Sequence, residues 1–377
     1  IFTLQFHPEV TDTSHGRTML KNFVNACGVS SRWSMETFLD ATTKRLSNEV
    51  GKNKVLMFLS GGVDSSVTAA LLLQEGYDVI GITMQLLAKE DIQESACCNL
   101  DAVCDAKRVA QKLGIPHYTI NIRDTFKKNV IDPFVSQYMA GYTPNPCVEC
   151  NRHIKFTELY KVAEDLGADL IATGHYCKRL YDEKEDVYRL EKARDHTKDQ
   201  SYFLYMLTHD QLKKILFPLG DYTKKEIREI ARDLNLINAD RPESQDICFV
   251  SQKSYTSFIK KNVDIDTSHS GDIIGTDGSV LGQHDGLYQF TIGQRKGLGI
   301  ASNDPLYVLA LDPQTNSVTV GQKSERVFSE FSIQTFSKVN PKETCEGATY
   351  SCRMRYQMTP IQATVVNESE GDLRVSL

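Results

Sequence analysis

The chain has 377 residues, of which 41% are hydrophobic and 24% charged, and its formal net charge at pH 7 is −6. These values are ordinary for a globular protein with two or three domains, and they argue against a protein that coats nucleic acid through bulk positive charge. No apolar stretch approaches the ~20 residues that span a bilayer, and we find no secretory signal, so no membrane partner is expected. Ten cysteines are too few for a disulfide scaffold, which favours a reducing, cytoplasmic location.

Residues 1–50 are expected to form an appendage. They contain Gln5-Phe6-His7-Pro8-Glu9-Val10 and resemble the end of the glutamine amidotransferase domain of GMP synthetase and its link to the synthetase half. The hydrolytic triad of that family also needs a cysteine upstream of this motif, and no such cysteine is present. We therefore interpret His7 and Glu9 as vestigial. Because the chain begins with Ile in an apparent strand, we expect a fragment or a processed product.

A glycine-rich turn joins the first predicted strand to the first predicted helix. The turn, Ser60-Gly61-Gly62-Val63-Asp64-Ser65-Ser66, follows the apolar run 55–59 and precedes a helical pattern that stops at Gly76. Unpaired N–H groups at a helix start bind anions, and the two glycines let phosphates approach the backbone. Asp64 beside a phosphate implies either a bridging Mg²⁺ or an orienting role. A plain tight turn with a helix cap is the alternative.

Strands and helices alternate after this turn. Strands are predicted at 79–84, 118–122 and 169–173, and helices at 101–113, up to Gly141, and at 156–166, with Asp101 as a helix cap. This order indicates an α/β fold with a parallel sheet and helices on both faces. Ligands bind at the carboxyl ends of such strands, where Met84 and Gly174-His175 lie. The predicted sheet domain spans residues 51–203.

Two smaller domains are predicted to follow. Residues 204–267 read as mostly helical, with a capping box at Thr223-Lys224-Lys225-Glu226. Residues 268–377 show short apolar stretches between Gly, Asp and Asn turns, a pattern typical of a small β-barrel.

A pair of cysteines lies in Thr143-Pro144-Asn145-Pro146-Cys147-Val148-Glu149-Cys150-Asn151-Arg152. The prolines predict an extended segment that enters a helix, and a helix N-terminus favours the thiolate. Zinc, iron–sulfur and redox use fit this spacing equally well. Cys248 is a third candidate, and Cys97-Cys98 with Cys104 could form a further pair or a zinc site. The glycine-rich turn matches the PP-loop signature, SGGxDS, of enzymes that cleave ATP between its α and β phosphates. If the turn is such a loop, ATP activation of a carbonyl oxygen together with reactive cysteines indicates an ATP-dependent thiolation.

From about Lys54 to Leu377 the chain resembles the bacterial tRNA-specific 2-thiouridylase family. The stretches that carry the resemblance are residues 60–66, which match the PP-loop signature SGGxDS, and residues 143–156, 172–176, 198–202, 244–249 and 291–299. The resemblance implies that sulfur replaces the C2 oxygen of the wobble uridine in tRNA. It also implies ATP with Mg²⁺, a tRNA substrate and a sulfur-donor protein, either a cysteine desulfurase or a relay.

The resemblance also implies roles for individual residues. Asp64, Cys150 and Cys248 would be catalytic, with Cys248 accepting sulfur as a persulfide and Cys150 forming a transient disulfide with it or assisting sulfur release. The ATP site would comprise Phe58, Leu59, Ser60, Gly61, Gly62, Val63, Asp64, Ser65, Met84 and Gly174. Asn145, Pro146 and Cys147 would lie against the target base. His175, Lys198, Asp199, Gln200, Arg355 and Tyr356 would contact tRNA.

Three departures from the family pattern leave alternatives open. Some members have Asp in place of Cys147, so Cys147, Cys150 and Cys248 could instead hold a [4Fe–4S] cluster. The family pattern continues past Leu377 into a further barrel strand, so a truncated barrel is expected. The appendage is foreign to the family. A GMP synthetase-like ATP pyrophosphatase is the alternative enzyme, and an inactive RNA-binding protein is the alternative outside catalysis.

Overall fold

The computed structural model describes residues 18, 54–87, 100–242, 247–250, 254–263, 270–325, 329–334, 336, 345–369 and 372–377. The chain divides into two compact units, Ile1–Val50 and Gly51–Leu377. The predicted appendage with His7 and Glu9, and the Cys97-Cys98 pair, lie outside the described residues. Every element named below belongs to the second unit.

The described strands and α-helices are as follows. The strands are β1 (Lys54–Phe58), β2 (Asp78–Gln85), β3 (His117–Asn121), β4 (Leu170–Ala172), β5 (Cys177–Asp182), β6 (Val187–Lys192), β7 (Ile215–Leu216), β8 (Gly271–Gly275), β9 (Val280–His284), β10 (Tyr307–Asp312), β11 (Ser317–Gly321), β12 (Glu330–Gln334), β13 (Thr349–Cys352), β14 (Ile361–Ser369) and β15 (Asp372–Ser376). The α-helices are α1 (Val63–Gln74), α2 (Leu100–Leu113), α3 (Arg123–Phe126), α4 (Asp132–Met139), α5 (Pro146–Glu149), α6 (Leu159–Asp165), α7 (His209–Lys213), α8 (Lys224–Asp233) and α9 (Tyr255–Asn262). Two π-helical segments, Lys127–Ile131 and Cys150–Glu158, lie between α3 and α4 and between α5 and α6.

The centre of the unit is a five-stranded parallel sheet in the order β3-β2-β1-β4-β7. Its middle strand β1 is buried along most of its length, because side chains such as Leu56 and Met57 meet helices on the two faces. The predicted α/β sheet is therefore confirmed. The helix predicted to stop at Gly76 does so, with Gly76 at φ +84° after the last turn of α1.

The structure differs from the sequence prediction at two places near this sheet. Helix α2 begins at Leu100, so Asp101 lies inside its first turn and is not its cap. The segment 204–267 contributes β7, which pairs with β4 and extends the parallel sheet, as well as the predicted helices. Two residues are too few to show a strand period, so periodicity could not reveal β7. The capping box is confirmed, since Thr223 and Glu226 exchange both expected hydrogen bonds at the start of α8.

The predicted strands of the C-terminal region form two four-stranded sheets. Their orders are β10-β11-β8-β9 and β12-β15-β14-β13. The first has its own apolar core around Val308 and Val318, and the second around Ala363 and Val375. Among the described residues, no helix is both long and apolar enough to cross a membrane.

Candidate phosphate-binding loop and cysteine site

The glycine-rich loop connects the end of β1 to the start of α1. Gly61 has φ +76°, a conformation that side chains with a Cβ rarely adopt. A Cβ at this position would lie 2.3 Å from the carbonyl oxygen of Ala102 on α2. Gly62 has φ −84° and precedes the helix, and a Cβ there would meet only Ser60 Oγ, at 3.4 Å. Gly61 is therefore required by the fold, whereas Gly62 leaves space open beside the loop.

Serine hydroxyls bridge the two ends of the loop. Ser65 Oγ lies 3.1 Å from Ser60 Oγ and donates to the Gly62 carbonyl at 3.1 Å. Gly174, just after β4, packs against the first turn of α1 so closely that a Cβ would lie 2.9 Å from Ser65 N. The structure thus brings most of the predicted ATP-site residues together, while Met84 is buried within β2.

Asp64, in the first turn of α1, accepts three hydrogen bonds from distant parts of the chain. Lys224 Nζ donates to both carboxylate oxygens, at 2.6 and 2.8 Å, and Tyr176 Oη donates to Oδ1 at 2.7 Å. The Lys224 side chain is 11% exposed and that of Asp64 33%, so the ion pair is shielded on the lysine side. The two roles predicted for Asp64, binding of a bridging Mg²⁺ and orientation of the loop, stay predictions. No sequence pattern indicated Lys224 or Tyr176 as its partners.

A second group of residues contacts the loop from the segment after α8. Asn238 Nδ2 donates to the Gly61 carbonyl and to Ser66 Oγ, both at 2.9 Å. Arg241 Nη1 donates to the same carbonyl at 3.3 Å and to Asp105 Oδ2 on α2 at 2.6 Å. These residues were also missed, because pairings between such distant positions leave no local sequence pattern.

The cysteine pair lies at the start of a helix, as predicted. Asn145 caps α5, accepting from Val148 N at 3.4 Å, and Pro146 is its first residue. Cys147 is exposed, whereas Cys150 is buried and begins the π-helical segment. Extra residues inserted into a helix in this way are frequent at functional sites.

The helix that carries Cys150 runs beside the carboxyl ends of β1 and β4. Lys155 Nζ lies 5.8 Å from the ring centroid of Phe58, at the end of β1, and 3.5 Å from His175 Nε2, after β4. His175 is buried, and Thr173 Oγ1 lies 2.8 Å from its Nδ1. Burial, with a smaller effect of the Lys155 charge, holds the pKa of His175 well below its ordinary value. His175 is therefore neutral at pH 7, and its predicted contact with tRNA stays a prediction.

The segment that carries Cys248 is anchored by its neighbour. Cys248 is half-buried, and the Phe249 ring makes edge contacts with Phe126 and Phe134, at centroid distances of 5.5 and 5.4 Å, and packs tilted on Phe258 at 5.3 Å. Within the described residues, no group of three or more His, Cys, Asp or Glu side chains is placed to hold a metal ion. The three cysteines therefore do not fit a cluster in this structure, and the iron–sulfur alternative stays an unsupported prediction.

Two of the residues predicted to contact tRNA, Asp199 and Tyr356, line an open groove of about 450 Å³. Arg353 also lines this groove. Asp199 is buried and accepts from Ala193 N at 3.0 Å and Ser201 Oγ at 2.8 Å. Further contacts are those of Gln200 Oε1 with Tyr176 N at 3.0 Å and of Arg355 Nη2 with the Ile292 carbonyl at 2.5 Å. Contact of these residues with tRNA stays a prediction.

Comparison with known proteins agrees with this architecture. The family model described as tRNA methyl transferase HUP domain matches residues 53–252, and the tRNA methyl transferase PRC-barrel domain model matches residues 256–322. The tRNA-specific 2-thiouridylase MnmA of Clostridium botulinum strain Eklund 17B is 44% identical over 332 residues, which are 86% of this chain and 90% of that protein. The chain belongs to the tRNA-specific 2-thiouridylase family.

Other 2-thiouridylases are similar over comparable lengths. MnmA of Carboxydothermus hydrogenoformans is 50% identical over 284 residues, 74% of this chain and 77% of that protein. MnmA of Clostridioides difficile strain 630 is 42% identical over 324 residues, 85% of this chain and 90% of that protein. The predicted family is confirmed, and the GMP synthetase alternative is not favoured.

Proposed function

We propose that this protein catalyses ATP-dependent 2-thiolation of the wobble uridine in tRNA. Support comes from the 2-thiouridylase relatives, the phosphate-binding loop and the cysteines at positions 147, 150 and 248. The two family models carry "methyl transferase" in their descriptions, but the SGGVDSS loop suits a nucleotide phosphate, and the cysteines suit sulfur chemistry. We further propose a cytoplasmic protein with domains at residues 1–50, 51–203, 204–267 and 268–377.

One observation carries the proposal. Lys155, on the helix that begins with Cys150, lies against Phe58 at the end of β1 and against His175 after β4. The phosphate-binding loop starts directly after β1, so a nucleotide at the loop and a base near Cys150 would share one edge of the sheet. The activating group acts on the oxygen of the C2 carbonyl and the sulfur on its carbon, so both must reach the same carbonyl, and this placement permits it.

In the activation step, the C2 oxygen of uridine attacks the α-phosphorus of ATP, and pyrophosphate leaves. The residues proposed to hold ATP are Phe58, Leu59, Ser60, Gly61, Gly62, Val63, Asp64, Ser65, Met84 and Gly174. The N–H groups at the start of α1 would receive phosphate oxygens, and Asp64, already oriented by Lys224 and Tyr176, would face the Mg²⁺ that accompanies ATP. The adenylated oxygen is then a good leaving group.

In the sulfur step, the terminal sulfur of a Cys248 persulfide attacks C2, and AMP leaves with the former C2 oxygen. Cys150 then attacks Cys248 Sγ, so that the S–S bond breaks towards the uridine and leaves 2-thiouridine and a Cys150–Cys248 disulfide. A thiol reductant restores the two cysteines, and a sulfur-donor protein supplies the next persulfide. Asn145, Pro146 and Cys147 would hold the base, and the groove beside Tyr356 would take the tRNA backbone.

The test is a single-turnover reaction of the full chain with MgATP, a persulfide donor and unmodified tRNA. Thiolated tRNA is retarded in a mercury-containing gel, and pyrophosphate release is measured in parallel. We expect thiolation by the parent, pyrophosphate release without thiolation by Cys248→Ser, and neither product from Asp64→Ala.

Two control reactions separate the alternatives. Pyrophosphate release that needs xanthosine monophosphate and not tRNA would support the synthetase alternative. Transfer of a labelled methyl group from S-adenosylmethionine to tRNA would support methylation. Absence of all products would leave the inactive RNA-binding protein, and any of these three results overturns the proposal.

A further inference from the structure

Two side chains that have no part in the proposed chemistry hold the phosphate-binding loop from outside. Asn238 Nδ2 and Arg241 Nη1 both donate to the carbonyl oxygen of Gly61, at 2.9 and 3.3 Å. Asn238 also donates to Ser66 Oγ in the first turn of α1. Two donors from one segment therefore converge on a single peptide oxygen of the loop.

Fixing the orientation of the Gly61 carbonyl also fixes the orientation of the Gly62 N–H group, which belongs to the same peptide unit. A trans peptide carries its C=O and its N–H on opposite sides, so the Gly62 N–H points away from Asn238 and Arg241. It lies 3.4 Å from Ser60 Oγ, which is long for a hydrogen bond, and it can exchange this acceptor for a phosphate oxygen. Gly61, at φ +76° and without a Cβ, has no side chain that could hold this orientation itself.

The burial of Asn238 favours a functional role over a purely structural one. Its side chain is 3% exposed, and its Oδ1 has no hydrogen-bond partner among the described residues. A buried amide with one unsatisfied atom destabilises the fold relative to an apolar side chain of similar shape. Packing alone would therefore select leucine here, so the two hydrogen bonds to the loop explain the asparagine better than packing does.

Arg241 is in turn oriented by α2. Asp105 Oδ2 accepts from Arg241 Nη1 at 2.6 Å, and both side chains are about a quarter exposed. Asp105 follows Ala102 by one turn, and the Ala102 carbonyl is the atom that excludes a Cβ at Gly61. One face of α2 thus excludes a side chain at Gly61 through the Ala102 carbonyl. Through Asp105 and Arg241, the same face helps to fix the direction of the Gly61 carbonyl.

We propose that Asn238 and Arg241 are positioning residues that aim the Gly62 N–H at a nucleotide phosphate, with Arg241 oriented by Asp105. The inference rests on the proposed ATP site and deepens it. It assigns to the segment after α8 the task of keeping the loop in its phosphate-binding form before the nucleotide arrives.

The test measures binding of MgATP, and of adenosine as a ligand without phosphates, by calorimetry on the full chain. The variants are Arg241→Met, Arg241→Lys and Asn238→Leu. Arg232→Met is the matched control, because it removes an arginine from α8 whose ion pair with Asp240 is exposed. An unfolding curve for each protein gives the folded fraction to which Kd refers.

We expect Arg241→Met and Asn238→Leu to weaken MgATP binding by about tenfold and to leave adenosine binding unchanged. Arg241→Lys should retain most of the affinity, and Arg232→Met all of it. Asp105→Asn should weaken binding less than Arg241→Met and add little to it in the double variant, since the two residues act in series.

Four outcomes would overturn the inference, and they are distinguishable. If the parent binds no MgATP, the proposed function fails and the inference fails with it. If the parent binds MgATP and the Asn238 and Arg241 variants bind it equally well, only the positioning role fails. Equal losses for MgATP and adenosine, or equal losses in Arg241→Met and Arg232→Met, would indicate general damage and would also refute it.

Discussion

The phosphate-binding loop and the Cys248 segment differ in the contacts that the structure describes around them. Around the loop, Lys224, Tyr176 and Asn238 each place a polar atom within 2.9 Å of an acceptor on it. At the Cys248 segment, the Phe249 ring is packed among other rings. Hydrogen bonds are directional and fix orientation, whereas ring packing fixes position with less constraint on rotation. We infer that the hydrogen bonds pre-organise the loop for a charged ligand, while the ring packing of Phe249 anchors the chain next to Cys248.

The largest effect is expected at Asp64, where a substitution tests whether hydrogen bonds pre-organise the phosphate-binding loop. Asp64→Ala removes the carboxylate that faces Lys224 and Tyr176, so thiolation should fall at least about a hundredfold in the mercury-gel assay. It should also lower the free energy of unfolding by about 2 kcal/mol, since a shielded ammonium loses its carboxylate. Adding Lys224→Met should restore part of the stability and none of the activity. Full activity in Asp64→Ala would contradict the orienting role.

A substitution at Phe249 tests whether ring packing anchors the Cys248 segment. Phe249→Ala deletes a buried ring and should cost about 3 kcal/mol if the site relaxes little. Because the phosphate-binding loop does not use this ring, tRNA-dependent pyrophosphate release should persist while thiolation is lost. Phe258→Leu, which alters the half-buried ring beside it, serves as the packing control. Equal losses of both half-reactions in stopped-flow and gel assays would argue against a role specific to Cys248.

Alanine substitutions at the two adjacent glycines test separately which one the fold requires and which one leaves space for a ligand. Gly61→Ala should lower the free energy of unfolding by about 1–3 kcal/mol, because φ is +76° and backbone of α2 blocks the new Cβ. Gly62→Ala should leave stability within about 1 kcal/mol of the parent but weaken MgATP binding, since its Cβ enters the space beside the loop. Urea unfolding and calorimetry measure the two quantities. Equal destabilisation by both substitutions would contradict the assigned roles.

The smallest effect concerns His175, which links the cysteine helix to the sheet edge. Burial lowers its pKa in the folded state, so below about pH 6.5 the unfolded state binds a proton that the folded state does not. The free energy of unfolding should therefore decrease as pH falls below that value, by up to about 1.4 kcal/mol per pH unit from this residue. His175→Gln should show a shallower dependence in urea titrations. Identical slopes in both proteins would refute this contribution.

Local sequence patterns predicted the parts of the fold that short stretches of chain specify. The apolar run ahead of Ser60 predicted β1, the glycines predicted the turn, and Pro144 with Pro146 predicted the start of the cysteine helix, all of which the structure contains. The prediction was wrong at Asp101, which lies inside α2, because an Asp in a first turn and an Asp at a cap produce the same pattern.

Resemblance to a family predicted more of the candidate site than hydrophobic periodicity could. It grouped the loop, Gly174 and the cysteines before any geometry was known, and the loop and Gly174 are in contact. It did not include Lys224, Asn238 or Arg241, although each donates to the loop. Their sequence signals were a capping box and an ordinary polar segment, which describe local structure and not distant contacts.

The sequence by itself determined the family, the parallel sheet and the residue types at the loop, because these depend on local propensity and on recognisable motifs. Only the tertiary structure decided which side chains orient Asp64 and which hold the Gly61 carbonyl. Hydrogen bonds between residues more than a hundred positions apart depend on how α1, α2 and α8 pack together. That packing is a property of the whole fold, and no short stretch of sequence contains it.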